Sequence, residues 1–147
     1  MSPVIIFLII ALLALLFLFF FFFGSPPKQR KRKQSKGEIQ ACKILESIYH
    51  EPFRKVRPDF LKNPKTGRNL ELDCYNENLK IALEYQGKQH YHWPNYTGQS
   101  LEEFLKQVER DRYKEEMCRK NGVKLIKVPY TVREKDMRKY IEEKINE

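Results

Sequence analysis

The sequence is poor in cysteine and contains no closely spaced cysteine pair. Its three cysteines, Cys42, Cys74 and Cys118, are far apart, and each lies among apolar residues. Disulfide frameworks and zinc clusters are normally recognised by several cysteines, or cysteines and histidines, at short and regular spacings. We therefore expect neither kind of site, and predict three reduced cysteines that pack in the hydrophobic core.

The chain also lacks an internal repeat. It lacks a glycine-rich nucleotide-binding motif too, since its six glycines are scattered. Such a motif would place backbone N–H groups around a phosphate. With 147 residues, of which 41% are hydrophobic, the chain has room for one domain with one modest core once the first 36 residues are set aside.

No charged residue occurs between Val4 and Phe23, a run of 20 consecutive apolar residues. A helix rises roughly 1.5 Å per residue, so a helix of that length matches the hydrocarbon core of a bilayer, which is about 30 Å thick. A cleaved signal peptide is the alternative, but its apolar stretch is usually shorter (~7–15 residues) and follows basic residues, which are missing here. We therefore predict one transmembrane helix at residues 4–23, in contact with the lipid bilayer.

Acidic residues are absent from residues 24–37, where proline and positive charge are frequent. We predict that this segment is a basic, flexible linker. Since its six cations follow the apolar run and none precedes it, the positive-inside rule places residues 38–147 on the cytoplasmic side of a membrane that the chain crosses once. Removing six charges from the net +9 leaves +3 for the domain, a balance compatible with nucleic acid binding.

Two runs of alternating apolar and polar residues, 70–75 and 79–86, flank a turn rich in asparagine. This pattern predicts a β-hairpin. The earlier segment 53–58 is predicted to be a first strand. Asp59, which follows Pro58, would lie at the end of that strand rather than in the middle of the sheet, so we do not assign it to a site.

The register of the hairpin decides which polar residues meet. With an even-numbered loop, either residues 77–78 or residues 76–79, Asp73 would lie opposite Ala82 and Glu71 opposite Glu84. Asp73 and Glu84 would then share a face, with backbones roughly 7–8 Å apart. Two carboxylates on one face at that separation can bind one divalent cation, whereas Glu71 is either a spare ligand or a solvated strand residue.

These hairpin residues resemble the active-site motif of the PD-(D/E)xK, or restriction-endonuclease-like, nuclease superfamily. Its members carry an Asp on one strand and a (D/E)-x-K on the next, which match Asp73 and Glu84-Tyr85-Gln86. The segment IALEYQGKQHY, residues 81–91, looks most like the branch that contains very-short-patch-repair-like and homing-endonuclease-like proteins. The sequence departs from the pattern at Leu72, where Pro is usual, and at Gln86, where Lys is usual.

The resemblance covers residues 38–129 and implies an α/β fold. We predict helices at 38–49, 99–121 and 131–146. The expected fold class is an N-terminal transmembrane helix followed by a restriction-endonuclease-like αβββαβ core and a C-terminal helix.

The resemblance also implies a magnesium site. Asp73, Glu84 and the carbonyl group of Tyr85 would hold Mg²⁺, which prefers oxygen ligands, with Mn²⁺ as a substitute. Gln86 would orient the attacking water or a phosphate oxygen through its amide group. Lys88, on the same face of a continued strand, would supply the positive charge that an amide lacks.

Three further positions are candidates for the site. Glu38 lies on the apolar stripe of the first predicted helix, although with Ser35 it also has the form of a capping box. His90 would share the face of Glu84 if the strand continues, and there it could exchange a proton or contact phosphate; packing of a loop is the alternative. Asp111 and Lys114, one turn apart on the long helix, are expected near the active site.

The sequence thus predicts a membrane-anchored, metal-dependent nuclease that hydrolyses phosphodiester bonds, with DNA preferred to RNA as the substrate. Two other functions stay open at this stage. One is a nuclease-fold module that binds nucleic acid without cutting it, suggested by Gln86 at the usual lysine position. The other is a structural, membrane-tethered protein whose hairpin acids only face solvent.

Overall fold

The computed structural model describes Pro3, Ile5, Leu12 and residues 34–147. Residues 34–147 form one compact unit. This unit is a mixed α/β domain with a four-stranded sheet and three α-helices. The helices and strands, in chain order, are α1 (Lys36–Tyr49), β1 (Arg54–Val56), β2 (Leu72–Asn76), β3 (Ile81–Gln86), α2 (Leu101–Lys120), β4 (Lys124–Pro129) and α3 (Met137–Asn146).

The structure contradicts two predictions, the transmembrane helix and the single-pass membrane location. None of the helices in the described part of the chain combines the length and the apolar character that crossing a bilayer requires. Helix α2 has 20 residues, but charged side chains recur in every turn. The predicted span at 4–23 lies outside the described residues apart from Ile5 and Leu12, and so does most of the predicted linker. The fold class that the described residues support is the mixed α/β domain.

The four strands lie in the order β1-β2-β3-β4, so each strand pairs with its neighbour along the chain. The pairs β1–β2 and β2–β3 are antiparallel, and β3–β4 is parallel because α2 carries the chain back across the sheet. The two central strands, β2 and β3, are therefore paired on both sides. They are the strands on which the predicted site lies.

Two hydrophobic clusters cover the two faces of the sheet. The first joins α1 and α3 to the sheet through Leu45, Leu83 and Ile141, each fully buried. The second packs Cys118 of α2 and Leu61 against Ala82. The sheet is thus enclosed between α1 and α3 on one face and α2 on the other, as expected when apolar residues alternate along paired strands.

Helix α1 begins at a capping box. The Ser35 hydroxyl accepts a hydrogen bond from the Glu38 backbone N–H (3.2 Å), and the Glu38 carboxylate accepts one from the Ser35 N–H (3.3 Å). At Gly37 the helix contacts the ring of Tyr85 so closely that a Cβ atom would lie 2.4 Å from it. Glycine at this position therefore lets the first turn of α1, with Glu38, lie directly over β3.

The cysteine prediction is wrong for two of the three residues. Cys42 of α1 and Cys74 of β2 form a disulfide, with Cα atoms 5.7 Å apart and a sequence separation of 32 residues. Only the third, Cys118, is a free and buried thiol, as predicted. The pairing follows from the packing of α1 directly on β2, which brings together two cysteines that a spacing rule treats as unrelated.

Candidate functional site

Asp73 and Glu84 face each other across the central strands. The pairing of β2 with β3 sets Cys74 opposite Leu83 and Asn76 opposite Ile81, and continuing this register sets Asp73 opposite Glu84. Directly opposed residues have Cα atoms roughly 4.5–5.5 Å apart. The two carboxyl groups are close enough for the charge of Asp73 to act on the pKa of Glu84.

The observed register differs by two residues from the predicted one, which set Asp73 opposite Ala82. The turn consists of residues 77–80, and Lys80 closes it in a left-handed conformation (φ 55°). The side chain of Asn76 also accepts a hydrogen bond from the Leu79 N–H (2.9 Å). A shift of two residues preserves the faces of both strands, so the predicted sharing of a face by Asp73 and Glu84 survives the error.

Strand β2 bulges where it carries Asp73. Arg54 pairs with Tyr75 and Val56 pairs with Leu72, so a step of two residues along β1 corresponds to a step of three residues along β2. A bulge of this kind bends the strand and changes the direction of a side chain. Here it accompanies a half-buried Asp73 beside a fully buried Cys74.

Glu84 is a buried acid whose partner comes from the long helix. Only 4% of the residue is exposed, and the Lys114 ammonium of α2 donates a hydrogen bond to its Oε1 atom. Burial raises the pKa of Glu84 and the positive charge of Lys114 opposes this rise, while the charges of Asp73 and Asp111 add to it. The carboxylate form of Glu84 thus depends on positive charge nearby.

Lys55 of β1 lies among three other carboxylates. Its Nζ atom is 3.0 Å from Glu71, 3.4 Å from Asp73 and 3.7 Å from Glu38. Arg57 makes a second ion pair with Glu71 (3.1 Å). Burial favours neutral Glu71, but the hydrogen bond and charge of Lys55, with the charge of Arg57, lower the pKa of this acid. Glu38 thus has two roles, because it caps its helix and is also one of the three acids around Lys55.

His90 and Asp111 form a pair beside Glu84. The Nδ1 atom of His90 is 2.7 Å from an Asp111 carboxylate oxygen, and both side chains are largely buried, with exposed fractions of 20% and 17%. Strand β3 ends at Gln86, and His90 lies in a 3-10 turn, Lys88–His90. His90 thus reaches the site region from a turn rather than from the continued strand that was predicted.

Three other predicted site residues lie at or just beyond the end of β3. Gln86 is buried, and its Oε1 atom accepts a hydrogen bond from the Tyr91 hydroxyl. Lys88 is exposed at the start of the turn, and within residues 34–147 it makes no ion pair. Tyr85 contributes its backbone to the middle of the sheet and its ring to the contact with Gly37.

The sequence pattern does not indicate Lys55 as a site residue, and it predicts Lys114 only near the site. No signal in the strand segment distinguishes Lys55 from its exposed neighbour Arg54, because its acidic partners lie far from it in the sequence. Lys114 was detectable as a cation one turn after Asp111. Its contact with Glu84 depends on how α2 crosses the sheet.

The donor groups fit a hard divalent cation in their chemistry. The cluster contains five carboxylates, on Glu38, Glu71, Asp73, Glu84 and Asp111, and three permanent cations, on Lys55, Arg57 and Lys114. Carboxylate oxygens are the ligands that Mg²⁺ and Mn²⁺ accept. Among the described side chains, however, no three His, Cys, Asp or Glu groups are gathered as a ready-made metal cluster. Lys55 and Arg57 contact Glu71, Lys55 also contacts Glu38 and Asp73, and Lys114 contacts Glu84.

Comparison with known proteins identifies relatives in viruses. The chain is 46% identical over 109 residues to the uncharacterized protein 094L of Frog virus 3, a match that covers 74% of the chain and 69% of that protein. It is 44% identical over 107 residues to the uncharacterized protein 033L of Invertebrate iridescent virus 3 (73% of the chain, 55% of that protein). It is 48% identical over 100 residues to the uncharacterized protein 307L of Invertebrate iridescent virus 6 (65% and 50%).

The matched region thus spans only about half the length of two of these relatives. No family model matches the chain, and no solved structure matches it. The names of these three viral proteins state no activity.

Proposed function

This chain belongs to the protein family that includes protein 094L of Frog virus 3, and we propose that it is a metal-dependent nuclease that hydrolyses phosphodiester bonds, with DNA preferred to RNA. One observation carries the proposal: Asp73 and Glu84 oppose each other on the two central strands, with Lys114 bonded to Glu84. A buried acid, a second acid across the ladder and a lysine form the chemical set expected for the PD-(D/E)xK superfamily. Here the lysine comes from a helix.

Asp73 and Glu84, with the carbonyl group of Tyr85, would hold Mg²⁺, and Mn²⁺ would substitute for it. A bound divalent ion supplies charge neutralisation at the phosphate and a water of lowered pKa. The charge of Lys114 opposes the rise in the pKa of Glu84 that burial causes, and its hydrogen bond fixes the direction of this carboxylate. Asp111 holds the His90 ring through Nδ1, which leaves Nε2 to accept a proton from water or to donate one to a leaving oxygen.

A second function has a specific observation in its favour. Gln86 occupies the usual lysine position and is bonded to Tyr91. Lys55, a lysine close to the acids, is itself bonded to them. Neither residue therefore supplies the free ammonium group that the usual motif places after the second acid. A protein with these features would bind nucleic acid without cutting it. Binding of DNA that is unaffected by EDTA, with no cleavage under any metal condition, would favour this second function.

The first test is a cleavage assay with the full-length protein on supercoiled plasmid DNA and on single-stranded RNA. We expect nicking of the plasmid with Mg²⁺ or Mn²⁺ and none with EDTA, because two acids without a cation cannot neutralise the reacting phosphate. Cleavage that persists in EDTA would contradict the metal-dependent mechanism. RNA cleavage without DNA cleavage would change the proposed substrate.

Two lysines are candidates for the cation of the site: the structure favours Lys114, and the sequence pattern favours Lys88. We expect Lys114→Ala to lower the rate of cutting by about tenfold or more, because it removes the charge that opposes the rise in the pKa of the buried Glu84. Lys88→Ala is the matched control, since Lys88 is exposed and lacks an acidic partner among the described residues. The measurement is the initial rate of plasmid nicking by each variant.

The conservative variant Lys114→Arg should keep much of the activity because it keeps the charge. If Lys88→Ala lost activity and Lys114→Ala kept it, the cation of the site would be the one expected from the sequence pattern. The assignment to Lys114 would then be wrong.

A further inference from the structure

Lys55 is a single ammonium group shared by three carboxylates that come from two parts of the chain. Glu38 belongs to α1, Asp73 belongs to β2, and Glu71 immediately precedes β2. Their oxygens lie between 3.0 and 3.7 Å from Nζ, and the lysine side chain is only 21% exposed. This arrangement differs from a surface ion pair, in which one exposed acid meets one exposed base.

Three carboxylates at such distances from one point repel one another unless a cation lies between them. Lys55 lies within 3.7 Å of all three acids through its Nζ atom. It supplies the positive charge that lets acids from α1 and β2 converge.

We propose that Lys55 is the resident counter-ion of the metal site, which a divalent cation displaces when it binds Asp73. This inference rests on the proposed function, because the metal is the one the nuclease site would hold. Asp73 is the shared group: it contacts Lys55, and it faces Glu84 across the strand pair. An ammonium ion and a divalent cation cannot both lie close to this carboxylate without mutual repulsion. Lys55 thus acts as a positioning residue that keeps the acids gathered and sets a threshold for metal binding.

One substitution at Lys55 should lower the stability of the metal-free protein and raise its affinity for a divalent cation. In Lys55→Met, the acids lose their counter-ion, so the metal-free protein should melt at a lower temperature than the wild type. The same variant should bind a divalent cation more tightly, because one positive charge next to the ligand has been removed. A salt bridge that served only to stabilise the fold would give the first effect without the second.

The experiment measures Mn²⁺ binding by isothermal titration calorimetry and melting temperature with EDTA or Mn²⁺, using the full-length protein. We expect the dissociation constant of Lys55→Met for Mn²⁺ to fall about tenfold or more, as a unit charge near a divalent ion predicts, and its melting temperature to rise more on adding Mn²⁺ than that of the wild type. Lys55→Arg should behave like the wild type. Lys65→Met is the matched control, since Lys65 is exposed and pairs with Glu109 rather than with an acid of the proposed site.

Mn²⁺ binding by Lys55→Met that is equal to or weaker than wild-type binding would overturn the proposal, even if plasmid cutting is observed. In that case the nuclease function would stand and only the role of Lys55 would fall. If neither protein binds Mn²⁺ and the wild type does not cut DNA, both the counter-ion role and the proposed function fail.

Discussion

Replacing Asp73 by Asn, or Glu84 by Gln, is expected to lower the rate of metal-dependent DNA cutting by at least about 100-fold. Each substitution removes one negative charge and keeps the size of the side chain. Asp73 and Glu84 are the two acids that oppose each other on the central strands. Losing either would leave the cation with one charged ligand on the sheet, so it would bind weakly and neutralise the phosphate poorly.

The fold should tolerate the Glu84→Gln substitution. Burial raises the pKa of Glu84, which means that the folded protein favours the neutral acid more than the unfolded chain does. The neutral amide of Gln resembles that acid, and its oxygen can still accept the hydrogen bond from Lys114. A melting temperature close to the wild-type value, together with lost cutting, would separate a chemical role from a structural one.

The control for both variants is Glu77→Gln. Glu77 is an exposed acid in the turn that joins the same two strands, so its removal changes the net charge by the same amount without touching the cluster. Plasmid nicking by this variant should match the wild type. Wild-type rates in Asp73→Asn or Glu84→Gln would show that these acids do not form the site.

The faces of the hairpin strands could be predicted from the sequence, whereas their register could not. Alternation with period two fixes which residues share a face, because any even shift preserves it. The exact pairing depends on the turn, where Lys80 adopts a left-handed conformation and Asn76 bonds to Leu79. Lysine is not a residue that signals this conformation. Asp73 and Glu84 were therefore placed on one face by the right argument, but two residues out of register.

The cations of the site depend on tertiary contacts and were harder to predict. A strand continued past Gln86 would have set Lys88 beside Glu84, but the strand ends there and a 3-10 turn follows. Lys114 reaches Glu84 because α2 crosses the sheet, and Lys55 reaches three acids next to a bulge in β2. These contacts join residues that are far apart in the sequence, and no local pattern encodes them.

The long helix shows the same limit. Leu101, Leu105 and Val108 recur at a helical spacing that is typical of a buried face, yet they are 47%, 56% and 43% exposed. The helix instead buries Cys118 against the sheet and Gln107 near the loop that follows β3. Periodicity identified the helix correctly but not the side that packs, because the sheet lies under only part of its length.

Reduction of the disulfide between Cys42 and Cys74 is expected to destabilise the domain by about 3–4 kcal/mol, from the entropy that a closed loop of this length removes from the unfolded chain. The two cysteines are separated by 32 residues. For a domain of this size such a loss corresponds to a fall in melting temperature of roughly 10–20 °C. The measurement is thermal unfolding of the wild type with and without a phosphine reductant.

Cys42→Ala is the variant that tests the origin of this effect. It prevents the disulfide and places a good helix former in α1, so its melting temperature should be low and insensitive to the reductant. Cys118→Ala is the control, since Cys118 is a free thiol and its variant should still respond to reduction. Thiol titration of the unfolded wild-type protein should give one reactive thiol before reduction and three after it. Three thiols before reduction would contradict the pairing.

The same bond bears on the proposed site, because each of its cysteines is a neighbour of a site acid. Cys42 lies one helical turn after Glu38, and Cys74 directly follows Asp73. The disulfide therefore joins the two elements whose acids meet at Lys55. We expect Cys42→Ala to bind Mn²⁺ more weakly than the wild type even at temperatures where it is fully folded, since α1 is then held over β2 by packing alone. Unchanged Mn²⁺ affinity in the folded variant would mean that the disulfide stabilises the domain without positioning the site.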